Sequence, residues 1–224
     1  MSALLVALVA LVALQIPNDG GTLVVSEDTS EIAREAFRLS PARIGPGASG
    51  WKLAATVRYD RHRPVIVLDP SVEIGADSLP ASLEYNVADP REPLRILGQL
   101  ARGRFMVRLL GRRTERAREF PAAPPVVLLD DSVFALYIPA AWQARAQPVQ
   151  VTAIFPRHGR RELVAAQDLG VGATILNRRP ASLRHVTVTG GANRLVHLWL
   201  APDGRLLKVE IPSRGLSAER APAP

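Results

Sequence analysis

Asp130 and Asp131 stand side by side in an otherwise apolar run, Val126 to Ile138 (VVLLDDSVFALYI), and form the titratable pair best suited to acid–base chemistry in this sequence. Two carboxyls in an apolar setting ionise unequally, so one can stay protonated as a general acid while its neighbour acts as a base. A hydrolase built on Asp130 or Asp131 also needs a serine or histidine in the same open cleft, and no sequence motif supplies one. The plainer use of adjacent aspartates is a turn or a cap. With Asp131 as N-cap, Val133, Phe134 and Tyr137 would fall on one side of a short helix.

Other reactive residues point to little chemistry. The four histidines, His62, His158, His185 and His197, show no spacing of two or four that would favour a metal, and none is expected. His62 and His158 sit among arginines and are expected at the surface, whereas alternation places His197 with Leu195 and Trp199, as a core histidine. Gly45 to Gly50 (GPGASG) has the letters of a dinucleotide loop, but a strand follows it where a helix is required, so it reads as a loop. There is no nucleophile elbow, phosphate-binding loop or zinc-protease signature. With no cysteine, disulfides, thiolate metal sites and an acylated lipoprotein anchor are all excluded. No catalytic residue and no cofactor is predicted.

The elements that would position a site are mostly strands. Lys52 to Tyr59 puts Leu53, Ala55, Val57 and Tyr59 on one face; Ser82 to Val87 and Val149 to Phe155 alternate in the same way. Arg104 to Leu110, between two glycines, reads as a strand. Ser30 to Leu39 fits either period and is assigned to a strand. Further strands are expected at His185 to Thr189, Leu195 to Leu200 and Arg205 to Ile211, with Ala201-Pro202-Asp203-Gly204 as a hairpin turn. The 19 prolines and 16 glycines punctuate short apolar runs throughout, which argues against a helical bundle. The predicted fold is therefore mainly β: a curved antiparallel sheet or incomplete barrel of about ten strands, with one short helix in the Asp130 region.

The run Ala3 to Leu14 is uninterruptedly apolar, too short to span a bilayer but of secretory length. Residues 1–20 are expected to be a signal peptide and leader, 21–212 a single β-rich domain and 213–224 a loose tail, with the protein periplasmic or secreted. The formal net charge is +7, and lysine occurs only at Lys52 and Lys208, so the basic residues are almost all arginines. Their excess is concentrated between Arg91 and Phe120. Export and the scarcity of interleaved aromatics exclude nucleic acid as a partner. If functional, Arg102, Arg104, Arg108, Arg112 and Arg113 would meet an anionic membrane surface or an acidic envelope protein.

Trp51, Tyr59, Tyr85, Phe105, Phe134, Tyr137 and Trp199 fall on predicted inward faces, where they would form core or line an apolar cavity. The stretch Leu195 to Arg220 (LVHLWLAPDGRLLKVEIPSRGLSAER), through Trp199, the Asp203-Gly204 turn, Leu206, Leu207, Pro212 and Arg220, resembles the closing hairpin of uncharacterised bacterial secreted domains related to the lipoprotein-carrier (Lol-type) half-barrels. The resemblance implies a curved sheet around a helical plug, with a hydrophobic concave face that receives acyl chains. Three functions follow as expectations: an exported, non-enzymatic binding protein with a cavity for lipid or another hydrophobic molecule; an envelope interaction module whose cavity is filled by its own side chains and whose arginines face a partner or membrane; or the Asp130/Asp131 hydrolase.

Overall fold

In a computed structural model, the structure describes residues 18–45, 47–61, 63–190 and 194–222. The apolar run Ala3 to Leu14 and His62 lie outside them. The described residues form fifteen strands: β1 (Asp19–Glu27), β2 (Ser30–Gly45), β3 (Ala48–Tyr59), β4 (Ile66–Gly75), β5 (Pro80–Ala88), β6 (Leu94–Ala101), β7 (Arg104–Gly111), β8 (Glu115–Pro121), β9 (Val126–Leu128), β10 (Val149–Phe155), β11 (Arg160–Leu176), β12 (Arg179–Gly190), β13 (Arg194–Leu200), β14 (Leu206–Ile211) and β15 (Leu216–Arg220). A 3-10 turn (Phe134–Tyr137) runs directly into the short helix α1 (Ile138–Gln143).

All fifteen strands belong to one open, curved sheet, ordered β8-β7-β6-β5-β4-β3-β2-β1-β15-β14-β13-β12-β11-β10-β9. Neighbours are antiparallel except β9 and β10, which run parallel. The chain thus winds outward along one arm, crosses to the far edge at β9, and returns to place β15 beside β1. Between the arms in sequence lies the segment from Leu129 to Ala144, and it fills the concave side. Leu129, Phe134, Ala135, Tyr137, Ala140 and Ala141 have no accessible surface and share one core with the inward residues of both arms.

Two expectations need correction. The strands number fifteen, not about ten: β8 is charged and exposed along Glu115 to Glu119, β6 is interrupted by Gly98, and β4, although Leu68, Val72 and Ile74 alternate with Asp69, Ser71 and Glu73, carries Pro70 in its middle. Gly98 is required there, since a Cβ would lie 2.6 Å from the Phe105 ring packed on it. The tail expected to be loose instead supplies β15, paired on both sides, with Leu216 and Ala218 buried. Its polar residues are the outward half of an alternating strand.

The leader boundary expected at residue 20 falls inside β1. Asp19 is buried, accepts hydrogen bonds from the Leu206 amide at 3.0 Å and from Arg220, and so ties the first strand to β14 and β15.

Candidate functional site

The filling of the concave side is held by carboxylates. Glu35 is on β2, on the same face as Ala33, Phe37 and Leu39, and has no accessible surface. Its two carboxylate oxygens accept hydrogen bonds from the amides of Phe134 and Ala135, each at 2.7 Å. These are the free N–H groups that open the 3-10 turn, so the side chain from the sheet does the work of a cap. Burial pushes the Glu35 carboxyl up to about 7, against the pull of those two amides.

Asp130 is 1% exposed and is fully engaged. Arg157, in the 3-10 turn Pro156–His158 after β10, makes a two-pronged contact with it, 2.7 Å on each oxygen; Tyr85 of β5 donates its hydroxyl at 3.0 Å; and the Ser132 amide donates at 2.8 Å. Burial works against the Arg157 charge, but Asp130 more than compensates and raises its pKa. Asp131 turns the other way, toward Arg160 at 3.2 Å, Arg194 at 3.1 Å and the Tyr137 hydroxyl at 3.3 Å. Both of those guanidinium groups lie over the Phe155 ring, at 4.0 and 4.6 Å from its centre. Asp131 is not a helix N-cap: the turn begins after Val133, without a side-chain cap. Asp130 reaches both arms of the sheet, through Tyr85 on β5 and Arg157 after β10, while Asp131 binds Arg160 of β11 and Arg194 of β13 on the second arm, so that together they lock the filling segment to both.

The predicted aromatic residues take different places. Tyr59, half-buried on β3, donates to the Ser132 carbonyl at 2.9 Å; Trp51 of the same strand packs against Trp142 of α1 with ring centres 6.4 Å apart. Tyr85 and Phe105 are buried inward. Phe134 and Tyr137 do not line a cavity, because they belong to the segment that occupies it. The space left among Leu53, Val72, Ile74, Leu128, Leu136 and their neighbours is about 10 Å³, at the lower limit for one water.

Trp199 is the clear misplacement. On β13 the core face is Val196, Leu198 and Leu200, so Leu195, His197 and Trp199 project from the opposite, outer face. Alternation alone gives two faces but not which is inward, and the buried half here is the even-numbered one. Trp199 is nevertheless 7% exposed, because the β11–β12 hairpin bends over it. Gly172 lies against its ring, where a Cβ would come within 3.2 Å. His185 stacks on the indole at 4.0 Å and shares a 2.8 Å hydrogen bond with His197, while the indole N–H donates to Glu210 at 2.7 Å. Burial, and then His197, hold the His185 pKa below its usual value. Lys208 completes this layer: it sits between Glu210 at 2.9 Å and Glu219 at 3.0 Å and donates to the Ile175 carbonyl of the hairpin at 2.7 Å.

Arg102, Arg104, Arg108, Arg112 and Arg113 are all exposed on the β6–β8 arm. Arg104 pairs with Glu119 at 2.8 Å and Arg108 with Glu115 at 2.5 Å, both across the β7–β8 register, and Arg112 donates to the Pro90 carbonyl at 3.1 Å. The arm is thus partly neutralised by its own strand partner. Beside it, a cleft of about 300 Å³ opens between Val87, Leu94, Leu109 and Arg116 on one side and Arg157 and His158 on the other, with Asp89 and Glu92 at its margin. Among the described residues no group of three or more histidine, aspartate or glutamate side chains is arranged to hold a metal.

Glu35, Arg157 and Lys208 are assigned no role from the sequence. Glu35 carries a readable signal, a carboxylate on the apolar face of an alternating strand; the other two depend on contacts between distant strands.

No family model matches the chain, and no curated protein sequence matches it. A solved structure does: the crystal structure of a beta-barrel-like protein of domain of unknown function DUF1849 from Brucella abortus, which is 12% identical and superposes with a TM-score of 0.54 over 90% of this chain and 94% of that one. At that identity the likeness concerns fold alone, and it makes this chain similar to an uncharacterised β-barrel-like domain.

Proposed function

We propose that the protein is an exported, non-enzymatic interaction module, in which a half-barrel sealed by its own chain serves as a scaffold for exposed basic and apolar surfaces. The observation that carries this reading is the filled concavity: among the described residues, Leu129 to Ala144 packs into the core of both arms, and the space between it and Leu53, Val72 and Ile74 is about 10 Å³. A ligand-sized pocket is on the order of 300–1,000 Å³. A carrier of lipid or another hydrophobic molecule, as the Lol-type resemblance implies, would have to expel Leu129 to Ala144, breaking the Glu35 cap and the Asp130 to Arg157 pair. Asp130 and Asp131 act here as structural anchors; with its oxygens occupied by Arg157, Tyr85 and Ser132, Asp130 has no open side toward a substrate.

Mass spectrometry of organic extracts, from protein purified out of its native envelope, tests the reading. The expected result is no lipid or other apolar molecule in stoichiometric amount. A one-to-one extractable ligand would restore the carrier reading and remove this one.

A further inference from the structure

Five large apolar side chains are prominently exposed among the described residues, Met106, Leu163, Leu169, Val171 and Ile175, and all but Met106 lie on β11. Leu169, Val171 and Ile175, at 50%, 77% and 52% exposure, belong to the part of β11 that runs beyond β10 and pairs with β12 alone. A bulge between Asp168 and Val171 switches the alternation, so Gly172 turns toward Trp199 while Val171, Ala173 and Ile175 turn to solvent. From Leu169 to Leu183 (LGVGATILNRRPASL) there is no acidic residue, and the two charges are Arg178 and Arg179 at the tip. Exposed strands ordinarily carry charges that discourage association. This one combines a bare apolar face with a cationic tip.

We propose that the β11–β12 hairpin docks on an anionic lipid bilayer, with Val171 and Ile175 entering the boundary between headgroups and acyl chains and Arg178 and Arg179 meeting the phosphates. The choice of occupant rests on charge complementarity. The apolar side chains suit the interface, and the doubly positive tip, which has no acid of its own and meets Glu219 only where Lys208 already pairs it, suits a negative surface. The hairpin is also held rigidly for the purpose: Lys208 donates to the Ile175 carbonyl, and Asn177 donates its amide to Glu219 at 2.9 Å and its side chain to the Arg220 carbonyl at 3.1 Å. The basic β6–β8 arm is the less suitable surface, because Glu115 and Glu119 lie within it. This inference deepens the interaction-module reading, on which it rests, and identifies one of the module's partners.

The chain has no cysteine, so single-cysteine variants can carry one environment-sensitive fluorophore each. Val171→Cys reports on the hairpin and Met106→Cys on the arm; both positions are exposed, and circular dichroism checks that each variant folds. With vesicles of phosphatidylglycerol and phosphatidylcholine, the expected result is a blue shift from the Val171→Cys label, none from the Met106→Cys label, and none from either with phosphatidylcholine alone. Replacing Arg178 and Arg179 together by alanine should weaken partitioning about thirtyfold at low salt, taking ~1 kcal/mol for each surface arginine. No response to anionic vesicles, or a response at the Met106→Cys position only, would overturn the proposal. A one-to-one lipid still extracted from the protein with Arg178 and Arg179 replaced by alanine would defeat the sealed-scaffold reading without touching the hairpin result, so the two failures are distinguishable.

Discussion

Replacing Asp130 by alanine is expected to destabilise the fold by about 3–5 kcal/mol, the range for removing one partner of a buried ion pair. The carboxylate is 1% exposed and receives hydrogen bonds from Arg157, Tyr85 and the Ser132 amide, so its removal strands a guanidinium that is only 24% exposed together with a buried hydroxyl. At this chain length such a loss lowers Tm by roughly 6–20 °C. The second half of the experiment separates anchoring from catalysis. Pairing Asp130→Ala with Arg157→Met removes the uncompensated charge and should recover a substantial part of the loss, since apolar replacement of a buried pair is often neutral or stabilising. Urea unfolding of the two variants measures both effects. Equal stability of the Asp130→Ala variant and the parent would mean that the locking role is wrong.

The second large effect concerns Glu35 and pH. Its carboxyl is raised from 4.5 to about 7 in the folded protein, chiefly by burial. Between those values the folded state holds a proton that the unfolded state has released, so the stability that protonation contributes is fully present below pH 4.5 and is lost as pH rises to about 7. The loss amounts to about 3 kcal/mol, since a separation of one pH between the folded and unfolded values corresponds to about 1.36 kcal/mol. Other groups titrate in the same window, so the quantity to measure is the difference in unfolding free energy between the parent and Glu35→Gln. That difference should fall by this amount from pH 4.5 to 7 and stay level above. Parallel curves for the two proteins would show that Glu35 titrates as an ordinary carboxyl and that burial does not set its proton affinity in the fold.

The β character of this chain is legible because half-buried strands write their burial into alternate residues. β3 and β5 follow that rule along their lengths, and the Asp203-Gly204 turn forms where expected, with Gly204 at φ 87°. Ser30 to Leu39 satisfies two periods at once, and the strand wins because β2 is paired on both sides, to β1 and β3. Strands whose burial does not alternate escape the rule. Neither face of β8 is covered between Glu115 and Glu119, and the outer face of β13 to β15 is covered by a hairpin that arrives from residues 172–177. Alternation accordingly assigns Trp199 to the concavity, whereas the fold holds it under that hairpin on the other side. The candidate site is obscured for a related reason. Phe134 and Tyr137 are apolar and inward, as lining residues must be, but sequence cannot distinguish a wall from what fills the space inside it. Their chain neighbours decide it: Phe134 donates its amide to Glu35 across 99 positions of sequence.

The segment from Leu129 to Ala144 is a permanent part of the core. Native-state hydrogen exchange at the amides of Phe134 and Ala135 tests this most directly, because both donate to Glu35 and can exchange only when the segment leaves the sheet. These two amides are expected to exchange with the same free energy as the most protected amides of β2 and β3, that is, only through global unfolding. Exchange through a lower-energy opening that leaves the sheet protected would contradict this and reveal a displaceable plug, which is what a carrier would need.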